Sequence, residues 1–187
     1  MPKNSSIWYL VLFSLLILGL LIPTGILSNA YTTGEIKRST SINVVPDSEG
    51  VFSLYPNQQS KLVSTTPSGK LQLDTQKFPS GVEFTDGDTS MPFTDFTFLV
   101  TNKSPSSRTM TISYIPSAEF PENQPSAVTF LLYDSSGQKL GEIQANGQSQ
   151  SYTLQNEESI SIITVINTQD VDSGEQLTGK LKFELQQ

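Results

Sequence analysis

The sequence predicts an all-β fold, a jelly-roll-like β-sandwich of about ten to twelve strands after an N-terminal signal helix. Three observations predict it. Runs of two-residue alternation between apolar and polar side chains recur through residues 39–187. Turn signals separate these runs at intervals of roughly 8–12 residues. Only 16% of residues are charged, so polarity comes from Ser, Thr, Gln and Asn, with Phe and Tyr well represented. No window after residue 30 has the spacing of an amphipathic helix, and no internal repeat of fixed period is present.

The elements follow in order. Met1 to Ser6 is short and polar and carries Lys3. Ile7 to Ile22 is almost wholly apolar, Pro23 and Gly25 break it, and Ser28-Asn29-Ala30 places small residues where a signal peptidase reads. This predicts a signal peptide over 1–30, cut between Ala30 and Tyr31. An uncleaved anchor stays open, because the apolar stretch counted on to Leu27 is long enough to cross a bilayer. A type IV pilin leader is cut before its apolar stretch; here the site lies after it. Tyr31, Thr32, Thr33, Gly34, Glu35, Ile36, Lys37 and Arg38 form a short, extended-prone segment. It has two fates: folding back on its own sandwich, or completing a neighbour's sheet.

Ser39 to Val45 is the first good strand of the domain, 39–187. Leu71 and Leu73 then alternate with Lys70, Gln72 and Asp74, and Phe96, Phe98 and Val100 with Thr97, Leu99 and Thr101. Met110, Ile112 and Tyr114 share a face, with Thr109, Thr111 and Ser113 opposite. Val128 to Tyr133 and Ile160 to Ile166 are more continuously apolar, as central strands are. Asn146-Gly147 predicts a hairpin between its flanking strands. The clearest alternation is the last: Leu177, Gly179, Leu181, Phe183 and Leu185 on one face, Thr178, Lys180, Lys182 and Glu184 on the other.

Composition excludes several chemistries. Among 187 residues there is no His and no Cys. That removes His-based acid–base catalysis, Cys nucleophiles, disulfides and His/Cys zinc sites. Eighteen Asp and Glu against eleven Lys and Arg leave a net charge of −7, which disfavours nucleic acid as a partner. No cofactor is expected, calcium excepted: Asp86 with Asp88, or Asp170 and Asp172 with Glu175, place loop carboxylates close in sequence. Neither set completes a known calcium spacing, so solvated loop acids are the plainer reading.

Ser136-Gly137-Gln138-Lys139 matches S-x-x-K, but that motif needs a helix start, and here it falls in a turn between strands. Asn102-Lys103-Ser104 is a glycosylation sequon, placed after a strand where a surface turn would suit it. Such short patterns arise by chance in a chain rich in Ser and Thr. A carboxylate pair for glycoside hydrolysis is set in space rather than in sequence, and no residue pattern argues for one.

Two stretches carry a family resemblance. Ala30-Tyr31-Thr32 followed by Lys37 to Leu54 (KRSTSINVVPDSEGVFSL) resembles the start of the TasA/camelysin-like secreted proteins, in particular their archaeal bundling-pilin and biofilm-matrix relatives. Phe93 to Asn102 (FTDFTFLVTN) resembles their central strand. The resemblance implies a jelly-roll subunit that polymerises head to tail, the strand Tyr31–Arg38 of one copy filling a groove in the next. It also implies lateral bundling and, in some tube-forming relatives, calcium between subunits. The metalloprotease activity attributed to camelysin is not carried over, since the chain has no H-E-x-x-H.

Three readings result. The first is a secreted structural subunit of an extracellular or cell-surface filament, a pilus or biofilm-matrix fibre, with no enzymatic activity. The second is a monomeric surface-binding module held by an uncleaved N-terminal helix. The third is a secreted hydrolase, which needs convergent carboxylates in a concave pocket.

Overall fold

The computed structural model describes residues 41–45, 50–65, 71–74, 81–169, 171 and 176–186. All of them belong to one compact unit, Ile36–Gln187. The described residues form twelve strands: β1 Ser41–Val45, β2 Phe52–Pro56, β3 Val63–Thr65, β4 Leu71–Asp74, β5 Glu83–Asp86, β6 Phe98–Asn102, β7 Arg108–Pro116, β8 Val128–Tyr133, β9 Lys139–Gln144, β10 Ser149–Leu154, β11 Ser159–Asn167 and β12 Gly179–Leu185. A 3-10 turn, Pro125–Ala127, precedes β8. Among the described residues there is no α-helix, and no helix is long and apolar enough to cross a membrane.

The strands form two sheets in a sandwich-like arrangement. The first runs β10-β7-β12-β1-β4-β3. The second runs β2-β6-β11-β8-β9, with β5 also on β11. β11 is long enough to serve two strands along one edge: Ser159–Ile162 pair with β6 and Thr164–Asn167 with β5. The pairings are antiparallel except β1 on β12.

Alternation is the cause of the layers. Met110, Ile112 and Tyr114 of β7 and Leu181 and Phe183 of β12 point inward and are buried, while Lys180 and Glu184 are exposed. From the second sheet come Phe98, Val100, Val128, Phe130, Leu132, Ile160, Ile162 and Ile166. Phe98 and Phe183 meet edge to face at 6.2 Å, and Tyr114 packs between Phe120 and Phe130 at 5.9 and 5.5 Å. Such offset ring pairs add to the burial energy of a core.

One turn differs from the expected hairpin. Asn146-Gly147 does form a turn, with Gly147 at φ +74 and Gln148 N–H donating to the Asn146 side chain at 3.0 Å. Yet β9 and β10 do not pair there. β9 lies on β8 and β10 on β7, so the turn carries the chain from one sheet to the other. The six-residue register of β10 with β7 outweighs the local hairpin preference. The true hairpin is β8–β9, closed at Ser136-Gly137 by Asp134 N–H to Gln138 O and Gly137 N–H to Asp134 O. Where the sheets meet, the Gln150 side chain donates to the Glu142 carbonyl of β9 at 2.7 Å and accepts from the Tyr152 hydroxyl. A side chain here occupies an edge that a further strand would otherwise seek.

Candidate functional site

The most unusual feature of the backbone is the slot filled by β1. This strand lies between β12 and β4, parallel to the first (Ile42↔Gly179 to Val45↔Lys182) and antiparallel to the second (Ser41↔Asp74 to Asn43↔Gln72). Because β4 and β12 run in opposite directions, any strand in this slot is parallel to one of them. β1 also does a job out of proportion to its five residues. The β3–β4 pair joins the rest of the first sheet through β1. On the two strands that border the slot, Leu73, Leu181 and Phe183 are buried, so the space needs a strand to cover apolar side chains and to satisfy two rows of backbone groups.

The predicted donor Tyr31–Arg38 and the cleavage site Ala30/Tyr31 lie outside the described residues, as do Asp170, Asp172 and Glu175. The other two calcium candidates are described, and the structure gives them separate partners. Asp86 is buried at the end of β5. Its carboxylate accepts from the Ser60 hydroxyl at 2.5 Å and the Lys61 amide at 3.1 Å. Ser60 Oγ in turn accepts from the amides of Leu62 and Val63. The chain crossing from β2 to β3 is thereby pinned to β5. Asp88 instead caps its own turn, accepting from Ser90 N–H at 2.8 Å and Ser90 Oγ at 2.6 Å. These bonds hold its carboxyl below the usual range. Among the described residues no group of three or more acidic side chains could hold a metal ion.

Asn102 sits where a surface turn was expected, but it is wholly buried. Its Nδ2 donates to the carbonyls of Ser106, Leu154 and Gln155 at 3.0, 3.0 and 3.1 Å, and its Oδ1 accepts from Ser104 N–H at 2.8 Å. It staples the β6–β7 turn to the β10–β11 turn. A glycan on that nitrogen would leave it one N–H in place of two, fewer than the three carbonyls around it draw on. The residue after it is the exposed one: Lys103 pairs with Glu157 at 2.6 Å and lies over the Tyr55 ring.

The S-x-x-K residues are committed to the β8–β9 hairpin. Ser136 Oγ donates to Asp134 at 2.6 Å, and Lys139 pairs with Glu142 at 2.9 Å. A hollow of about 30 Å³ beside the 3-10 turn is lined by Gln124, Ser126, Ala127 and Asn167, with no carboxylate.

Sequence reasoning missed Ser60 as the partner of Asp86, and missed the segment 87–97 as a cover over the second sheet. Gly87 was a signal for that cover. At φ +116, its backbone passes so close to the Asp95 carbonyl that a Cβ would meet it at 2.9 Å. No protein-family model and no curated protein matches the chain.

Proposed function

We propose that the chain is a structural subunit of an extracellular filament, a pilus or biofilm-matrix fibre, secreted to the cell surface and without enzymatic activity. Its partner is itself. The donor is Tyr31–Arg38, released by cleavage after Ala30, and the acceptor is the slot between β12 and β4, which the acceptor copy's own β1 must vacate. The observation that carries the reading is that slot: one five-residue strand near the N-terminus links two parts of a sheet. A donated strand hydrogen-bonds along its length and is recognised by alternate side chains. Eight extended residues reach about 26 Å, enough to span a small sandwich. The contact is head to tail and need not close, so it can propagate.

Strand order supports the jelly-roll part of the proposal. With β2–β5 set aside, the remaining strands run β1-β12-β7-β10 in one sheet and β6-β11-β8-β9 in the other. That is the interleaved order of two Greek keys. The departure is β1, which is parallel to the last strand where a regular jelly roll has an antiparallel pair.

Negative-stain electron microscopy of two purified chains tests the proposal, one spanning 31–187 and the other 39–187. Filaments from the first and soluble monomers from the second are expected. Absence of filaments from both, with and without calcium, would remove it. The apolar run from Ile7 to Leu27 favours a second reading, a membrane-anchored monomeric binding module, which predicts an intact N-terminus on native material.

A further inference from the structure

The outer face of the first sheet is bare among the described residues and unusual in composition. On β7 it presents Thr109, Thr111, Ser113 and the exposed Ile115, and on β10 Thr153, Ser151 and Ser149 in register with the first three. Hydroxyls bond across the strands, Thr109 to Thr153 at 2.8 Å and Thr111 to Ser151 at 3.0 Å. Gln186 Nε2 donates to both members of the second rung, at 2.8 and 3.0 Å. Among its described side chains the charges lie in one row on β12: Lys180, Lys182 and Glu184, of which the last two pair at 2.5 Å. Among its described side chains this face carries two lysines against one glutamate, in a chain of net charge −7. It is where two copies approach without the repulsion that the rest of the surface imposes.

We propose that this face is a self-association surface on which two copies meet about a twofold axis. The axis lies between the facing sheets and crosses the strands at the level of Phe183. β12 of one copy then runs antiparallel over β12 of the other. Lys182 faces Glu184 of the second copy, and Lys180 faces Gln186, so no like charges are opposed. The two Lys182–Glu184 pairs merge into a ring of four alternating charges. Thr111 of one copy faces Ser113 of the other, where free hydroxyl donors and acceptors bond across the gap. Among its described side chains this face has no aromatic platform, which argues against a sugar polymer as occupant. Six strands about 4.8 Å apart and about 20 Å long offer on the order of 600 Å² per copy, short of the roughly 800 Å² a side of a standard interface. One pair is therefore weak, and the contact gains strength when repeated along two parallel-lying fibres. The contact does not depend on filament formation; its use in bundling rests on the filament reading.

The chain has no cysteine, so single thiols can be placed cleanly in the full-length protein on its secreting cells. Ser113→Cys is treated with a bismaleimide spanning the roughly 10 Å between packed sheets, with Gln138→Cys on the β8–β9 hairpin as control. Covalent dimers are expected from Ser113→Cys and not from Gln138→Cys. Adding Lys182→Glu lowers the dimer yield severalfold, and Lys182→Glu with Glu184→Lys restores it, because the swapped pair keeps its twofold complementarity. Equal yields at both thiols, or a double swap as poor as the single one, would overturn the proposal. Electron microscopy of the same cells separates the two readings. Filaments without Ser113 cross-links overturn this contact alone; cross-links without filaments sustain it and count against donor-strand assembly.

Discussion

On the second sheet, the outward side chains in the middle of β11 are out of reach of water. Ser161 and Ile163 are fully buried, and Ser161 Oγ donates to the Pro92 carbonyl of the covering segment at 2.5 Å. On the first sheet, the outward side chains of β7, β10 and β12 meet solvent and bond to one another. Both faces carry hydroxyls, but the consequences differ. Beneath the cover, Thr97 Oγ1 donates to the Asp86 carbonyl and accepts from Thr164 N–H at 2.8 and 2.9 Å, tying together segments far apart in the chain. Loss of a partner there leaves a buried group without water to replace it. On the open face water substitutes at once, so the hydroxyl rungs shape a surface rather than hold the fold.

Substitutions sharpen that contrast. Asn102→Ala should have the largest effect, about 3 kcal/mol of lost stability, because three carbonyls lose a buried donor. Urea unfolding measures it, and a loss under about 1 kcal/mol would mean that the staple is dispensable. Gly87→Ala comes next, at about 2 kcal/mol, since a side chain at φ +116 is strained and its Cβ meets Asp95 O. Amide exchange at Thr164 should rise as the cover shifts, and unchanged protection would break the argument.

Tyr114→Phe runs the other way. Its hydroxyl is buried without a hydrogen-bond partner, so removing it should stabilise by about 1 kcal/mol. Burial pushes this phenol above its ordinary 10.0. The unfolded chain therefore loses that proton at lower pH than the folded one. Stability from this source is complete below 10.0 and falls as pH rises beyond it. The wild-type chain should lose more stability than the Phe variant between neutral and strongly alkaline pH, and parallel curves would contradict the assignment. Smallest is Thr153→Ala on the open face, expected within about 0.5 kcal/mol of wild type. A loss comparable to that of Asn102→Ala would erase the distinction between the two faces.

Which residues face inward is legible in the alternation itself. It alone places Met110, Ile112 and Tyr114, like Leu181 and Phe183, on their buried face. The turn at Ser136-Gly137 is equally legible, since Asp134 binds Ser136 and Gln138 within four residues. The candidate site is less so. Asp86 and Asp88 look alike in sequence, yet one is buried against Ser60 and the other caps an adjacent serine. Asn102 carries a sequon but serves as an internal staple. Neither difference has a local cause, because each depends on a segment some tens of residues away.

The same division holds for the whole chain. Side-chain alternation and turn chemistry act over two to four residues, so the residue types alone dictated an all-β chain, its inward faces and the absence of His and Cys chemistry. Pairing acts over any distance. Asn146-Gly147 bends the chain as its residues require, but the tertiary fold sends β10 to β7 instead of β9. Nothing in Ser41–Val45 specifies the parallel neighbour β12 more than 130 residues later. That choice follows from which apolar face is left uncovered once the other strands have packed, and burial has no sequence range.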